Sequence, residues 1–499
     1  MVLGLPHDEV VRAILAQAAP DQKTYLVGGA VRDLLLQRPG HDLDISVSNH
    51  AVALARRTAN ALGAAFFVMD NERDIARVVV DKAGERLFVD FAGFRGTTLQ
   101  EDLQGRDFTL NAMALSLTRP DQLIDPLGGA GDLQQRILRL CSPTAIANDP
   151  ARLLRAVRQA VAFDLKFAAE TTAALKAAAP MLPRISGERQ RDELFKLLGS
   201  RGAAVGLRIL DRLGVLKFVL PEMEEMRGVQ QSAPHTLDVF EHTLTTAAAL
   251  ENLWDVLVGP YNEHQSANLT YGLAVLKLGE YRTELTEHFH QILNPDRNLR
   301  SLLMFSALYH DTGKPACAKF DEKRGKVRFI GHPEVSAQLA EQRAHALALS
   351  SIEIERVKKL ILQHMRIHFI ARDHTSTLTL RTIYRYYKET GPAGVDLCLL
   401  SLADTLATHG AELPQPVWQA ELNAAASLLE VWYRKANEVV QPPRLVSGGD
   451  VIRHFGLTPG PQVGELLEAV REAQAVGDVI TRDDAMMFVG SRLKPTPGT

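Results

Sequence analysis

Asp42 and Asp44 stand two residues apart in HDLDI (41–45), a stretch that alternates in the manner of a β-strand. Side chains at i and i+2 of a strand share a face, so both carboxylates point the same way. Two carboxylates aimed at one point are costly unless a cation lies between them. Mg²⁺ suits such a pair, because it takes hard oxygen ligands and keeps phosphate oxygens in its shell. Metal held there can activate an attacking hydroxyl and steady a leaving pyrophosphate. An Asx-capped turn before a strand would use the same two residues without chemistry. Upstream, Gly28 and Gly29 separate a short apolar run from a helical one. Glycine lets backbone amides approach a phosphate, and a helix start favours an anion. Arg32 falls in the first turn, where its fork can reach the same phosphates. The competing reading is a tight turn followed by a solvated arginine. Neither GxGxxG nor GxxxxGK[ST] occurs here, which speaks against dinucleotide and P-loop sites.

A second constellation is spread over the middle of the chain: His242 in VFEHTL (239–244), His310 and Asp311 in SALYHDTGKP (306–315), His332 in GHPE (331–334), His364 and Asp404. Imidazoles and carboxylates from successive helices can converge on a divalent ion inside a bundle. Neighbours such as His310 and Asp311 splay by about 100° on a helix. Both can still border one ion if other helices close the cage. Taken singly, each histidine is better explained as a satisfied core or surface residue.

These residues need elements to position them. A helix over 8–19 leads into an apolar strand at 25–27, a helix over 30–37 and a strand at 43–47. An alanine-rich helix at 50–63 precedes three more strands at 65–69, 76–80 and 87–91. The segment 20–135 is thus mixed α/β, with a sheet of about five strands. Helical spacing takes over from 150 to 220 and again from about 235 to 435, broken by the basic, hairpin-like KFDEKRGKVRFI (319–330). The pair Pro442 and Pro443, with the segment 447–449, marks a boundary before a small piece over 450–490.

Composition limits the possibilities. With 46% apolar and 23% charged residues the chain is globular, and 499 residues call for two to four domains. The formal charge of −3 argues against a generally basic nucleic-acid coat, but residues 141–220 hold thirteen Lys/Arg against seven Asp/Glu, the region best suited to a polyanion. Cys141, Cys317 and Cys398 form no CxxC, as expected of a reducing cytoplasm. No membrane segment or secretory leader is evident, and a cytoplasmic protein is expected.

LVGGAVRDLLL (26–36) followed by HDLDI resembles the first motif of class II tRNA nucleotidyltransferases and bacterial poly(A) polymerases, within the polymerase β-like superfamily. The resemblance continues in order through RDFTLNAMA (106–114), DPLGGAGDLQQRILR (125–139) and DPARLLRAVR (149–158), covering roughly 20–220. It implies an α+β protein: a polymerase β-like nucleotidyltransferase domain with a mixed sheet, then all-helical domains. It makes Asp42 and Asp44 the metal carboxylates, with Asp90 a candidate third unless it holds an arginine such as Arg95. Gly28, Gly29 and Arg32 would bind the triphosphate, and Arg106, Asp107 and Asn111 would shape the sugar and phosphate pocket. Asp149 and Arg152 match the pair that reads the base edge; their i,i+3 spacing puts them on one helix face. Asp149 also suits an N-cap with Pro150 at the first helical position. Arg155 and Arg158 follow on that helix, facing nucleotide, RNA or solvent, and Arg184, Glu188 and Arg189 resemble the next helical motif.

Three departures matter. Asn148 and Asp149 stand where many relatives have Glu-Asp, and Gly105 and Arg106 where they have two arginines. In FRGTTLQEDLQGRDF (94–108) only GTT (96–98) fills the place of a longer flexible loop common in CCA-adding relatives. Among tRNA enzymes the short link resembles those that add only two cytidines from CTP; full CCA addition, A addition from ATP and poly(A) synthesis stay open. The ordered histidines resemble the HD phosphohydrolase domain, with His242, His310, Asp311 and Asp404 as its basic ligand set and His332 and His364 extending it toward a second metal. The divisions implied are a catalytic domain at 1–140, a helical nucleotide- and RNA-binding region at 141–225, an HD domain at 226–440 and a small helical region at 441–499. The expected partners are CTP, ATP and the 3′ end of tRNA.

Overall fold

The computed structural model describes residues 5–38, 40, 42–82, 85–258, 268–295, 297–373 and 378–493. Two compact units emerge: residues 1–185 with 209–218, and residues 186–208 with 219–499.

The first unit is built on a seven-stranded mixed sheet. Its elements are α1 (Asp8–Gln17), β1 (Thr24–Val27), α2 (Gly29–Leu35), β2 (Asp42–Val47), α3 (Ala51–Leu62), β3 (Ala65–Asp70), β4 (Ile75–Lys82) and β5 (Glu85–Gly93). After these come α4 (Leu99–Gln104), β6 (Ala114–Ser116), β7 (Arg119–Ile124), α5 (Gly129–Gln134), α6 (Ala145–Asn148) and α7 (Ala151–Phe163). The strand order is β3-β4-β5-β2-β1-β6-β7, with β2 parallel to β5 and the other pairs antiparallel. Two of these strands exceed the five expected from sequence. β6 has only three residues, too few to display alternation, and β7 reads RPDQLI, whose proline and polar residues suit an outermost strand.

Alternation in β2 has the expected effect. Leu43, Ile45 and Val47 are buried against Leu54 and Ala55 of α3, together with Val89 and Phe91 of β5. Each such side chain contributes about 1.5–3 kcal/mol when fully buried, so a one-residue slip in β2 would forfeit several of them. That penalty fixes the opposite face, the one bearing Asp42 and Asp44. Helix α3 stops at Gly63, whose left-handed backbone (φ 61°) closes the last turn.

The second unit is helical. The helix Ala393–His409 is buried along nearly its whole length, as expected of an element apolar all round. Around it pack Val239–Leu257, Ser351–Gln363 and Gln415–Arg434, with Leu299–Tyr309 and His332–Ala346 further out. Caps set where these helices begin: Asp238 accepts the Glu241 N–H, Asn298 the Ser301 N–H, and Ser350 with Glu353 forms a capping box. The basic interruption is a hairpin, Lys319–Asp321 against Lys326–Arg328. Helices Gly448–Phe455, Pro461–Ala475 and Arg482–Leu493 share a small core around Val451, Val470 and Val489. Among the described residues no helix is long and apolar enough to cross a membrane.

Candidate active site and metal centre

In the first unit β2 and β5 align Asp44 with Asp90, which puts Asp42, Asp44 and Asp90 on one face. Above them runs the β1–α2 turn. Gly28 has φ 72°, and a Cβ there would lie 2.8 Å from Asp44 Oδ2 and 3.0 Å from Arg106 Nη1. Only glycine lets the backbone come this close to the carboxylate. Burial raises the Asp44 carboxyl; Arg106 and Arg32 oppose the rise, while Asp90 and Asp42 add to it. A bound cation would relieve that repulsion, and the hard-oxygen donors fit a divalent ion.

Asp90 does hold an arginine, but not Arg95. Arg77 on β4 lies directly across from it and grips both its oxygens, at 2.7 and 2.8 Å. Arg95, two residues past the end of the strand, instead donates its backbone N–H to Asp102 at 3.3 Å. Asp102 also receives Arg106 Nη2 at 3.2 Å and Ser46 Oγ at 3.0 Å, which seats Arg106 between Asp102 and Asp44.

The adjoining wall is a chain of polar contacts. Arg32 is buried, stacks 4.1 Å over the Phe163 ring and donates Nη1 to Asn111 Oδ1 at 2.8 Å. Asn111 Nδ2 donates to Asp107 Oδ1 at 3.0 Å and to Gln159 Oε1 at 3.1 Å. Burial pushes the Asp107 carboxyl up, but Arg155, Asn111, the Phe108 N–H and Arg152 outweigh it and leave it below its ordinary value. The sharp approach that holds Asn111 in place needs Gly129, where a Cβ would sit 2.1 Å from the Thr109 carbonyl oxygen. Arg152 donates to the carbonyls of Gly105 and Arg106, both at 3.1 Å, and lies 3.7 Å from Asp149. Asp149 is not the N-cap of α7; Pro150 occupies that position, and Asp149 Oδ1 accepts the Ala151 N–H at 3.3 Å. Arg158 is close enough to Arg32 to disfavour its charge. Sequence reasoning missed Asp102, Gln159 and Phe163, although Asp102 is i−4 from Arg106 and Gln159 is i+4 from Arg155. Arg184 belongs to the first unit, whereas Glu188 and Arg189 open the second unit's helix Gly187–Leu198.

In the second unit the six histidines and aspartates converge as two triads: His242, His310 and Asp404, and Asp311, His332 and His364. Asp311 lies between them. Its Oδ2 is 3.2 Å from His310 Nε2 and 3.5 Å from His242 Nε2, while Oδ1 is 3.3 Å from His332 Nε2 and 3.9 Å from His364 Nε2. His310, His332 and His364 each bond Nδ1 to the carbonyl three residues earlier, at 2.7, 2.8 and 2.7 Å. That bond fixes the tautomer and turns the Nε2 lone pair inward. Burial, with His310 close by, pushes His364 down to about 3, so at neutral pH it carries a ligand lone pair. Among the described residues both Asp311 oxygens, both His242 nitrogens and His310 Nε2 are buried with no well-aligned hydrogen bond, although Lys314 Nζ lies 2.6 Å from Asp311 Oδ2 and Asp404 Oδ1 2.9 Å from His242 Nε2. Buried polar atoms so poorly satisfied are costly, and N/O donors of this kind fit divalent cations. Gly313 allows the turn after Asp311 to lie against the start of the His332 helix, since a Cβ there would be 2.5 Å from the His332 carbonyl.

The sequence also left out His368 and Glu421. His368 Nε2 lies 2.9 Å from Asp404 Oδ2 and its Nδ1 2.8 Å from Glu421 Oε1, and Ser401 Oγ donates to Glu421 Oε2 at 2.7 Å. Burial works against a charge on His368, yet Glu421 and Asp404 outweigh it and hold the pKa at about 10. The i+4 spacing from His364 was the available signal. Beside the triads opens a cavity of about 760 Å³, lined in part by Asp311, Lys314, His332, His368 and Asp404.

Three families match the chain in order: the Poly A polymerase head domain over residues 24–139, the probable RNA and SrmB-binding site of polymerase A over 164–227, and the HD domain over 239–409. The A-adding tRNA nucleotidyltransferase of Deinococcus radiodurans is 35% identical over 484 residues, 95% of this chain and 96% of that protein. The CC-adding tRNA nucleotidyltransferase of Thermus thermophilus is 33% identical, covering 95% of each. A solved CCA-adding enzyme in complex with CTP shares the fold with a TM-score of 0.60 and 20% identity, over 97% of this chain and 99% of that one. Near-complete alignment at this identity means that the chain belongs to the tRNA nucleotidyltransferase family and is an RNA nucleotidyltransferase.

Proposed function

We propose that the chain extends the 3′ end of tRNA with two cytidines from CTP. The carrying observation is the pair Asp42 and Asp44 on one strand face, with Asp44 packed under Gly28 and beside Arg106. The terminal 3′ oxygen forms a bond to the α-phosphorus of CTP while the bond to the β-phosphate oxygen breaks and pyrophosphate leaves. Mg²⁺ bound by the two aspartates would neutralise the reacting phosphate and lower the pKa of the attacking hydroxyl. Asp42 and Asp44 orient that centre, with Asp90 anchored beside them by Arg77. The amides of the Gly28 turn and the Arg106 guanidinium bind the triphosphate. Arg32, Asp107 and Asn111 hold the sugar side, and Asp149 with Arg152 offers the carboxylate-plus-guanidinium edge that reads the base.

The preference for CC rests on the link at 96–98. Glu101 Oε2 accepts the Thr97 N–H at 2.6 Å, Thr97 Oγ1 at 2.9 Å and the Thr98 N–H at 3.1 Å, and Thr98 with Glu101 forms a capping box on α4. A turn tied this way leaves no slack for the rearrangement by which a longer loop would readmit the pocket to ATP. The 35% identity to an A-adding enzyme supports A addition as the second reading. The segments 1–140, 141–225, 226–440 and 441–499 act as catalytic domain, nucleotide- and RNA-binding region, HD domain and helical cap. We also propose that His242, His310, Asp311, His332, His364 and Asp404 hold two divalent ions for phosphohydrolase chemistry at an RNA end. The test supplies tRNA ending before CCA, in C and in CC, with CTP and ATP separately. Extension that stops at CC is expected. Addition of A to tRNA-CC alone would transfer the conclusion to the second reading, and long A tails on unrelated RNAs would reject both.

A further inference from the structure

Strand register carries one row of side chains across the first unit's sheet: Asp44 on β2, Asp90 on β5, Arg77 on β4 and Phe67 on β3. Residues directly opposite in register share a face, so Phe67 lies on the face that bears Asp42 and Asp44. Two contacts agree with this. Arg77 grips Asp90, and Phe66, the residue before Phe67, faces the other way, with Arg56 of α3 4.6 Å from its ring centroid. A second row, Asp42, Phe88, Val79 and Ala65, runs beside the first, and the Arg77 guanidinium is 5.2 Å from the Phe88 ring centroid. Exposure rises toward the edge: the Asp90 and Arg77 side chains are 35% and 37% exposed, and Phe67 is 54% exposed. β3 is the outermost strand, and the core shared with α3 lies on the opposite face, so the ring is not a core residue.

The two sides of Asp44 differ. On one side β1 pairs Val27 with Asp44 and leads into the Gly28 turn beside Arg106; on the other lie β5, β4 and β3. In-line phosphoryl transfer sets the attacking and leaving oxygens on opposite sides of the phosphorus. With the triphosphate at the Gly28 turn, pyrophosphate departs on the β1 side and the attacking hydroxyl approaches over β5. We propose that the acceptor RNA strand lies across β5, β4 and β3, with a base near its 3′ end stacked on Phe67 and a neighbouring phosphate met by Arg77. Phe67 stands three strand spacings from Asp44, about 14 Å in all. The ring therefore meets one of the last few nucleotides and not the reacting sugar. Stacking tolerates any base, which suits an end whose sequence changes with each addition. Arg77 places a positive charge between the carboxylates and a strand they would otherwise repel. The inference rests on the proposed transfer at Asp42 and Asp44 and names the residues that take its acceptor.

The test compares Phe67→Ala, Phe67→Tyr and Val68→Ala in the full chain, on tRNA that ends before CCA. Val68 is the control, because it follows Phe67 but points to the α3 side of the sheet. Phe67→Ala is expected to lower kcat/KM for tRNA about tenfold or more, with KM for CTP unchanged, and Phe67→Tyr to keep both near those of the unmodified chain. Without nucleotide, tRNA carrying 5-iodouridine at each of its last three positions in turn should crosslink to the peptide 58–73, which holds Phe67. A loss of less than twofold in Phe67→Ala, an equal loss in Val68→Ala, or crosslinks that avoid this peptide would each overturn the proposal. So would a dimer of the unmodified chain that Phe67→Ala dissociates, because the ring would then belong to an interface between copies. The crosslink needs no turnover, and a chain that adds A is assayed with ATP on tRNA ending in CC. Failure of the CTP reading is thereby distinguished from failure of this one.

Discussion

Replacing Gly28 with alanine places one methyl group where the turn, the Asp44 carboxylate and the Arg106 guanidinium meet. The backbone at φ 72° and ψ −140° is a conformation that residues with a Cβ avoid, at a cost of about 1–3 kcal/mol. Contact adds to the strain, because the methyl carbon would approach Asp44 Oδ2 to 2.8 Å and Arg106 Nη1 to 3.0 Å. Asp44 has little room to retreat: it is in register with Asp90, which Arg77 holds from the far side. The carboxylate must therefore shift by several tenths of an ångström, or the turn must lift away from the sheet. A misplacement of about 1 Å in groups that position a reaction costs on the order of 10²-fold in rate, and lifting the turn off the sheet approaches that scale. Gly28→Ala should thus lose about 1–3 kcal/mol of stability and roughly a hundredfold in CTP incorporation. The assay is incorporation of labelled CTP into tRNA lacking CCA, with thermal unfolding followed in parallel and the fall in Tm read at about 2–4 °C per kcal/mol. Incorporation within twofold of the unmodified chain would refute the claim that this turn packs against the reacting centre.

Three other outcomes follow from the same structure. Equilibrium dialysis against Mn²⁺ should give one ion fewer in His332→Ala than in the unmodified chain; identical uptake by both proteins would contradict an ion held by Asp311, His332 and His364. Glu421→Gln weakens the hold on His368, and through it on Asp404, so metal affinity there should fall about 10–100-fold while nucleotide addition is unchanged; unchanged metal affinity would mean that the Glu421, His368 and Asp404 chain is only structural. Burial pushes the Cys141 thiol up to about 12 and raises Cys398 further, so both stay protonated at pH 8 and should resist alkylation in the folded chain. Mass spectrometry before and after denaturation checks this, and rapid native labelling of either residue would contradict its environment.

Period-two alternation in β2 was enough to put Asp42 and Asp44 on one face, because a slipped register would expose Leu43, Ile45 and Val47. Ordered motifs carried the rest of the chemistry, from the glycines of the first turn to the histidines of the helical half. These signals are local, or are strings of residue types that keep their order along the chain. Contacts between distant segments are not of that kind. The sequence offered Arg95 as a partner for Asp90, but strand pairing delivered Arg77, since the order β4-β5-β2 brings a residue thirteen positions upstream directly across the ladder. β6 and β7 escaped notice because a three-residue strand and a proline-containing outer strand carry almost no periodic signal. His310 and Asp311 were legible as a doublet; that Asp311 lies between two triads depends on where the helices bearing His242, His332 and His364 cross. Residue spacing thus determined which side chains share a face of one element, while tertiary packing alone decided which faces meet, because those distances are set by side-chain volumes in the core.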